Sequence, residues 1–376
     1  MMLASRIARF GAARRSGRLI CSVLVLVTAA SCSNPAGGDP APDPEAGVVG
    51  EGSVDNPYRI RSAEDLNAVR GGALGHEDWD LADHYKLLAD IDLAPYSAGE
   101  GWSPIGSASS PFTGSFDGNG HSIRRLRIER AADSQGLFGY LSGEGAIRNL
   151  SLEDIDLVSG GSDVGGLVGY MASGSVEGCT ASGAVSGADN TGGLLGCMAG
   201  GAVEGCRASV AVTSAASNVG GFVGAVSGGT IEASCAEGSV SGGEFVGGFS
   251  GKNYPDTYFL GMCYARGNVS GGDFVGGFVG GSRDINDDCY STGRVTGSTN
   301  VGGFVGDLSD GVFIRFGPCF FDSETSGQAG QIIDIYPKSS AEMKTQSTYL
   351  DWDFDAIWGI DASRNDGYPY LRWELE

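Results

Sequence analysis

A five-residue pattern, two glycines followed by two mainly apolar residues and a third glycine, recurs through the middle of the chain. Its copies read GGLVG, GGLLG, GGFVG, GGFSG, GGFVG and GGFVG. The second glycines are spaced by 27, 28, 27, 29 and 26 residues, at Gly166, Gly193, Gly221, Gly248, Gly277 and Gly303. A degenerate first copy, GLFG, begins at Gly136. A fixed period of this length is typical of a solenoid, in which each repeat folds into one coil and stacked coils share a core.

A cysteine follows each glycine pair by about 13 residues, and Cys319 closes the series, which comprises Cys179, Cys206, Cys235, Cys263, Cys289 and Cys319. The stretch CTASGAV, from Cys179 to Val185, has small or apolar residues at alternate positions, as in a half-buried strand. The chain has 65 glycines and no 3.6-residue periodicity, which excludes helical repeats. We therefore predict an all-β fold, a right-handed parallel β-helix (solenoid) of about seven coils with small α/β-type capping segments at both ends.

Two columns of equivalent residues are expected to run along this solenoid. The residues after the glycine pairs would form an apolar core ladder, or alternatively an exposed strip that stacks against a ligand: Leu167, Leu194, Phe222, Phe249, Phe278 and Phe304. The cysteines would form a ladder of buried thiols, with disulfides between adjacent coils as the alternative. Cys235 is one residue out of register with the other cysteines, so we predict that it faces the opposite side of its strand.

The segment VGGLVGYMASGSVEGC resembles the GLUG motif of bacterial surface proteins and lipoproteins with β-helical repeats. Similar repeats occur in adhesin-like chains and in the non-catalytic parts of some immunoglobulin A peptidases. Segments that often accompany the motif flank it, including NPYRIRSAEDLNAV and FTGSFDGNGHSI before it and DSETSGQ and DGYPYL after it, so the resemblance extends from Val54 to Leu371. The resemblance implies a β-helical fold and a surface location, and it does not imply a catalytic site.

Residues 1–31 have the features of a lipoprotein signal peptide. Five arginines precede an apolar run, Leu19–Ala30, that is too short to span a bilayer. The run ends in TAASC, which resembles a lipobox and predicts lipidation at Cys32; ordinary signal cleavage, with an incidental cysteine, is the alternative. Residues 32–52, rich in proline and glycine, would then be a flexible lipidated tether. Removing residues 1–31 changes the net charge from −22 to −27, which disfavours binding to nucleic acid. Because the sequence has no second apolar run of 18 or more residues, the lipid is the only expected membrane attachment.

The remaining chain divides by its sequence pattern. We predict an N-terminal cap with its first strands in residues 53–135, a GLUG-repeat β-helix in 136–320 and a C-terminal cap in 321–376. Capping-box patterns at Ser62 and Ser339 predict one short helix in each cap. An aromatic cluster predicts the core of the second cap, with a sugar-binding platform as the alternative: Trp352, Phe354, Trp358, Tyr368, Tyr370 and Trp373.

Motifs that would indicate catalysis or a metal site are missing from the sequence. The histidines, His76, His84 and His121, lack metal-ligand spacing, and the chain has no HExxH. The segments FDGNGH and DWDFDAIWGID only partly match a calcium-binding loop. We predict no catalytic residue, no metal and no cofactor.

The turn before each glycine pair carries one column of turn-forming residues, Asp163, Asn190, Asn218 and Asn300. Two repeats, SGGEFVGG and SGGDFVGG, depart from this column, and we interpret each as carrying an inserted residue. This interpretation places Glu244 beside Asp273, with Phe245 and Phe274 next to them. Two like charges at coil spacing repel unless they are solvated or bridged by a cation, so these four residues are the candidate ligand or cation site.

These features together predict a lipid-anchored, non-catalytic binding or adhesion module. It would be exported to the surface of the cell envelope, on the outer membrane if the envelope has one, and would present its repeats to an extracellular glycan or protein. A structural spacer is one alternative. A β-helical enzyme acting on polysaccharide is another, but it would need carboxylates or basic residues clustered on one wall.

Overall fold

The computed structural model describes residues 49–375, apart from 72–74, 255–257, 283–285, 308–317 and 331–333. The described residues belong to one compact unit, Val48–Glu376. The predicted signal peptide and Cys32 lie outside the described residues, as does most of the predicted tether. Within the described ranges, none of the helices combines the length and the apolar character needed to cross a membrane.

In the part of the chain that the structure describes, the backbone is wound into a parallel β-solenoid. Strands from its successive coils build four sheets, named here walls 1 to 4 in the order in which a coil passes through them. Wall 1 has nine strands: Tyr58–Ile60, His84–Leu87, Ser115–Asp117, Ala146–Arg148, Ser175–Glu177, Ala202–Glu204, Gly229–Glu232, Tyr258–Gly261 and Asn286–Asp287. Wall 2 has fourteen: Ile91–Asp92, Ser122–Arg124, Arg127–Arg130, Ser151–Ser159, Thr180–Ser186, Arg207–Thr213, Cys235–Ala236, Val240–Ser241, Tyr264–Ala265, Val269–Ser270, Tyr290–Ser291, Val295–Thr296, Cys319–Asp322 and Ile335–Lys338.

Walls 3 and 4 are built by the glycine-rich repeats. Wall 3 has six strands: Val164–Gly165, Thr191–Gly192, Ser217–Gly220, Glu244–Gly247, Asp273–Gly276 and Thr299–Gly302. Wall 4 has seven: Phe138–Leu141, Val168–Met171, Leu195–Met198, Val223–Val226, Ser250–Asn253, Val279–Gly281 and Val305–Asp307. Neighbouring strands pair in parallel, and equivalent residues of successive repeats are Cα partners.

The predicted fold class is confirmed, but the solenoid has about nine coils rather than seven. The difference comes from residues before the first glycine motif. Strands Tyr58–Ile60, His84–Leu87 and Ser115–Asp117 continue wall 1 in register, with Phe116 pairing with Ile147 of the first glycine-rich repeat. These early coils fill their interior with larger side chains and carry no GGxxG pattern, so the glycine period does not count them.

The predicted apolar ladder lies in the core. All six residues that follow the glycine pairs are buried, and the phenylalanines stack in parallel. Ring centroids of Phe222 and Phe249 are 4.6 Å apart, those of Phe249 and Phe278 are 5.0 Å apart, and those of Phe278 and Phe304 are 4.7 Å apart. The alternative of an exposed ligand-stacking strip at this column is therefore wrong.

Close backbone packing explains the three glycines of the motif. A Cβ at the second glycine would press against the next coil; at Gly166 it would lie 2.6 Å from the carbonyl oxygen of Gly193. A Cβ at the first glycine would overlap a carbonyl oxygen of its own turn, as Gly220 would with Val223. A Cβ at the third glycine would overlap the backbone of wall 3 in the preceding coil. Side chains at any of these positions would force the coils apart.

The seven cysteines in the described residues are free thiols, and all are buried. Five of them form a ladder along the inner side of wall 2, in which Ser234 takes the position of a sixth: Cys179, Cys206, Cys263, Cys289 and Cys319. The Sγ of Cys206 lies 3.3 Å from the carbonyl oxygen of Glu204, and the Oγ of Ser234 donates to the carbonyl oxygen of Glu232 over 2.8 Å. Cys235 is the predicted exception, because its Cα partners are Arg207 and Tyr264 on the outer face. It is buried there by the C-terminal segment rather than by the interior of the solenoid.

The elements flanking the repeats also follow the sequence signals. Capping boxes at Ser62 and Ser339 begin helices Ala63–Ala68 and Ser340–Met343, and Asp322 caps a third helix, Ser323–Ser326. The described residues also include short turns of 3₁₀ helix at Ala94–Tyr96, Gln346–Thr348, Asn365–Gly367 and Arg372–Leu375.

The predicted aromatic cluster forms a core at the outer face of wall 2. Trp352 and Trp358 stack with ring centroids 4.6 Å apart and pack with Tyr264, Tyr290 and Phe320 of that wall. A small antiparallel pair completes the C-terminal segment: Trp358–Gly359 with Tyr370–Leu371. The burial of these rings supports the core interpretation over the sugar platform.

Candidate functional site

The structure brings the four residues of the predicted site together on wall 3. Glu244 and Asp273 are Cα partners in adjacent coils. Phe245 and Phe274 follow them, and their rings stack with centroids 4.7 Å apart at 9°. The interpretation of an inserted residue is wrong, however. Ser217 of the preceding coil pairs directly with Glu244, so each phenylalanine occupies the position that asparagine holds in neighbouring coils.

This position has a left-handed backbone in every coil of wall 3, and these residues are called here the left-handed column. Their φ angles lie between 51° and 60°: Asp163, Asn190, Asn218, Phe245, Phe274 and Asn300. Asparagine and aspartate tolerate this conformation, whereas the Cβ of other residues crowds the following carbonyl oxygen. Two successive phenylalanines here are therefore strained, at a cost of about 1–2 kcal/mol each.

Polar side chains elsewhere in the column form a ladder of hydrogen bonds. The Nδ2 of Asn190 donates to Asp163 and the Nδ2 of Asn218 donates to Asn190, each over 2.8 Å. The ladder stops at Phe245, because a phenyl ring cannot donate or accept these amide hydrogen bonds between adjacent coils. Replacing asparagine by phenylalanine therefore gives up a local hydrogen bond as well as an unstrained backbone.

Lys252 lies against the aromatic pair and is not among the site residues predicted from the sequence. Its Nζ lies 3.7 Å from the centroid of Phe245, which is a cation–π contact, and 5.4 Å from that of Tyr254. The residue opposite Lys252 in the next coil is Gly281, and a Cβ there would lie 2.7 Å from Cδ1 of Phe245. A glycine at this position therefore leaves room for the ring.

The two carboxylates differ in their surroundings. Glu244 is exposed and accepts a hydrogen bond from Ser217 over 3.4 Å. Asp273 accepts from the hydroxyl of Thr299, from Nδ2 of Asn300 over 2.9 Å and from the backbone of Phe274 over 3.0 Å. The Thr299 hydroxyl is the main cause that lowers the pKa of Asp273, and the Asn300 amide lowers it further. Hydrogen bonds from the next coil thus stabilise the Asp273 charge beside Glu244.

A second column runs along wall 4 beside the left-handed column. It consists of the residues that follow the third glycine of each motif: Tyr140, Tyr170, Cys197, Ala225, Lys252, Gly281 and Asp307. The third glycines hold the two columns together, because Gly224 packs on the backbone of Asn190 and Gly280 packs on that of Phe245. The two columns together are called here the strip.

The strip carries a second aromatic stack at its other end. The rings of Tyr140 and Tyr170 are 4.8 Å apart at 17°, and both are half-buried. Between the two stacks lie the amide ladder and two small residues, Cys197 and Ala225. Burial, together with a smaller effect of the nearby Asp163 carboxylate, raises the pKa of the Cys197 thiol to about 12, so this thiol is protonated at neutral pH.

A polar cleft of about 290 Å³ separates the C-terminal segment from wall 2. Its charged residues are mostly paired across the cleft. Arg207 donates to Glu374 over 2.6 Å, and Arg266 pairs with Asp366. Burial is the main cause that raises the pKa of Glu374, while Arg207 lowers it. These pairs link the C-terminal segment to wall 2 beside the aromatic core that packs on the same wall.

Comparison with known families identifies the repeat. A family model described as the GLUG motif matches residues 160–186, which span one coil from wall 3 to the end of its strand in wall 2. The chain carries a GLUG motif.

Two relatives match part of this chain but are much longer proteins. Halomucin from Haloquadratum walsbyi is 37% identical over 143 residues, which is 36% of this chain and 2% of halomucin. A protein named "Putative Gly-rich membrane protein" from Evansella cellulosilytica is 42% identical over 106 residues, 27% of this chain and 12% of that protein. The GLUG-bearing chain thus matches only a small share of either relative.

A solved structure shares the fold over most of this chain. It is the crystal structure of a "putative immunoglobulin A1 protease from Bacteroides ovatus", with a TM-score of 0.55 and 21% sequence identity. The match covers 86% of this chain and 94% of the other. At this identity the likeness shows the solenoid fold alone.

Proposed function

We propose that this GLUG-repeat chain is a non-catalytic binding module of the cell surface, held to the membrane by a lipid on Cys32. Its partner is an extracellular glycan or protein, and its binding site is centred on Phe245 and Phe274. The names of the two relatives, halomucin and "Putative Gly-rich membrane protein", support a location in the cell envelope. The lipobox-like TAASC supports the anchor.

The strained phenylalanine pair is the observation that carries the binding role. Asparagine would fit the left-handed backbone and continue the ladder, as it does at Asn190 and Asn218. Strain of this kind concentrates at functional sites, where the surrounding structure holds it in place. The pair places two half-exposed rings beside one ammonium and two carboxylates, a mixture of apolar and polar groups suited to recognising a glycan or a protein surface.

The surroundings of Asp273 support binding rather than hydrolysis. A glycosidase needs one carboxylic acid whose pKa is raised so that it can protonate the leaving group. At Asp273 the pKa is lowered instead, by the Thr299 hydroxyl and the Asn300 amide. Asp273 is therefore suited to accept hydrogen bonds from a partner, not to donate a proton.

A binding screen with a matched variant tests the proposal. The purified protein would be applied to a glycan array and to immobilised extracellular matrix proteins, alongside Phe245→Asn/Phe274→Asn. The control is Leu350→Asn, which removes an apolar side chain that is 70% exposed in the C-terminal segment. We expect a partner that wild type and control bind equally and that the double variant binds at least about tenfold more weakly. Equal binding by all three proteins would refute the site, and cleavage of an arrayed ligand would refute the non-catalytic role.

The anchor has a separate test. Cells expressing the wild type or Cys32→Ala would be labelled with a palmitate analogue. We expect label only in the wild-type protein, and equal labelling of both would refute lipidation at this cysteine.

A further inference from the structure

The polar cleft between the C-terminal segment and wall 2 has the dimensions of a site for one small molecule. Its volume of about 290 Å³ lies at the lower end of the range of ligand pockets, roughly 300–1,000 Å³. The charged residues that line it are Arg207, Glu237 and Arg266 on the side of wall 2, with Arg364 and Glu374 on the side of the C-terminal segment. Such a lining suits a ligand covered with hydrogen-bonding groups rather than an apolar one.

Two ion pairs and one amide fix the shape of the cleft. Arg207 donates to Glu374 over 2.6 Å, and Arg266 pairs with Asp366. The side chain of Asn365 accepts from Arg266 and donates to the hydroxyl oxygen of Tyr290 over 2.8 Å. Because these contacts join the two sides of the cleft, the groups that remain are held in place before a ligand arrives.

Glu237 and Arg364 line the cleft without taking part in these pairs. The half-buried Glu237 carboxylate accepts from the Ser209 hydroxyl over 3.0 Å. The Tyr264 hydroxyl lies 3.4 Å from Glu237 but only 3.1 Å from Glu374. In the described part of the chain, Glu237 has no ion-pair partner, and the exposed guanidinium of Arg364 has neither an ion pair nor a hydrogen bond. A carboxylate accepts up to about four hydrogen bonds and a guanidinium donates about five, so both groups keep capacity for a ligand.

Tyr370 adds an aromatic ring to the same cleft. Five of the six residues of the predicted aromatic cluster pack in or against the core on wall 2, and Tyr370 is the exception. Its ring is half-buried, with its centroid 6.0 Å from the guanidinium carbon of Arg364. Gly359 pairs with Tyr370, and a Cβ at this glycine would overlap the tyrosine ring. An aromatic ring beside hydrogen-bonding groups can contact the C–H face of a sugar.

We propose that this cleft binds one neutral hexose unit of a glycan. A hydroxyl group both donates and accepts, so one hydroxyl of the sugar donates to Glu237 while another accepts from Arg364. The C–H face of the sugar packs on Tyr370. The site goes beyond the proposed function, since it lies beside wall 2 and shares no residue with the phenylalanine pair of wall 3.

The charge balance of the cleft selects a neutral sugar over an acidic one. Three arginines line the cleft, and three carboxylates balance them, namely Glu237, Glu374 and the Asp366 partner of Arg266. The carboxylate of a uronic acid could pair with Arg364 only against repulsion from Glu237. A hexose brings no charge and uses both groups.

Saturation-transfer difference NMR tests the site with glucose, galactose and mannose. Each sugar would be titrated against the purified protein beside its matching uronic acid. We expect at least one hexose to bind with a dissociation constant of about 1–10 mM, as suits a ligand of this size. Its uronic acid should bind at least about fivefold more weakly.

Two substitutions in the cleft and one outside it locate the bound sugar. Arg364→Ala should weaken binding at least about tenfold, and it should fold because the side chain has no hydrogen bond or ion pair within the described residues. Glu237→Gln keeps an acceptor for Ser209 and should weaken binding at least about fivefold. The matched control is Arg294→Ala, which removes an exposed arginine outside the cleft and should bind as the wild type does.

Three results would overturn the inference: no hexose that binds at up to about 30 mM, hexose binding that both cleft variants leave unchanged, or a uronic acid that binds more tightly than its hexose. Phe245→Asn/Phe274→Asn separates this site from the proposed function and should bind the hexose as the wild type does. If it does so while the binding screen finds no partner that needs the phenylalanines, the cleft stands and the proposed site on the strip fails. Loss of hexose binding in this double variant alone would place the sugar on the strip and overturn the cleft.

Discussion

Phe245 stacks on Phe274 with ring centroids 4.7 Å apart while both residues hold a left-handed backbone, with φ of 51° and 53°. A stacked aromatic pair contributes about 0.5–1.5 kcal/mol beyond the area it buries. The left-handed conformation costs about 1–2 kcal/mol for each residue. Stacking alone therefore does not offset the backbone cost, and the pair needs a further reason to be there.

The glycines of the repeat are expected to be the most sensitive positions in the fold. In Gly221→Ala the new Cβ would overlap the carbonyl oxygen of Gly248 in the next coil. Because both atoms belong to rigid backbone, the coils must separate and lose parallel pairing. We predict a loss of about 3 kcal/mol or more in the free energy of unfolding, measured by urea denaturation.

Gly330→Ala is the matched control, since nothing lies within 4 Å of a Cβ at that position. Its free energy of unfolding should stay within about 0.5 kcal/mol of the wild type. Equal destabilisation by the two substitutions would contradict the close-packing explanation of the motif.

The buried thiols predict that stability falls at alkaline pH. Burial raises the pKa of Cys206, Cys289 and Cys319, whereas an unfolded thiol titrates near pH ~8.5. Above that pH the unfolded chain releases protons that the folded chain keeps, so each thiol lowers stability by about 1.4 kcal/mol per pH unit. The contribution of each buried thiol to the free energy of unfolding is therefore fully present below pH ~8.5 and is lost as the pH rises above that value.

Cys206→Ser isolates one of these thiols. A serine already occupies this ladder at Ser234, where its hydroxyl donates to the carbonyl of Glu232 over 2.8 Å, so the substitution should fold. Urea denaturation in reductant between pH 8 and 10 should show that the free energy of unfolding falls less steeply with pH in the variant. The difference should equal the contribution of one thiol, about 1.4 kcal/mol per pH unit. If the free energy of unfolding of the variant falls with pH as steeply as that of the wild type, Cys206 does not keep its proton in the folded state.

Tyr290 links the C-terminal segment to wall 2. Its ring is fully buried and stacks on Tyr264 at 5.2 Å, and its hydroxyl oxygen accepts from Asn365 over 2.8 Å. In Tyr290→Ala the cavity and the lost contacts should cost about 3–5 kcal/mol and release the segment. Trypsin is expected to cleave the variant at Arg364 and Arg372 under conditions where the wild type resists.

Tyr290→Phe keeps the ring and removes only the hydroxyl, so its resistance should be intermediate, with a cost of about 1–2 kcal/mol. Full resistance of Tyr290→Ala would show that the segment is held by other contacts, such as the Arg207–Glu374 pair.

Much of the fold follows from the sequence because solenoid packing depends on equivalent positions. The phenylalanine ladder and the outward position of Cys235 could both be predicted by counting residues from one glycine pair to the next. The coils before Gly136 could not, since they carry no GGxxG pattern and so leave no period to count. The lipid on Cys32 remains a prediction.

The candidate site was predicted only in part, for a geometrical reason. Coil spacing correctly brought Glu244 beside Asp273, but an assumed insertion hid the fact that Phe245 replaces an asparagine. Lys252 was missed because it reaches Phe245 across the boundary between walls 3 and 4. The backbone packing of the third glycines sets that boundary. The sequence does contain one signal for Lys252, because it is the only basic residue that follows a third glycine.

The free energy of unfolding of Phe245→Asn/Phe274→Asn, measured by urea denaturation, tests the central claim most directly. The substitution removes the ring contacts, relieves two strained residues and lets the amide ladder run from Asp163 to Asn300. If the pair serves binding rather than folding, the variant should be within about 1 kcal/mol of the wild type, or more stable. A loss of about 3 kcal/mol or more would show that the rings hold the solenoid together, and would contradict the claim.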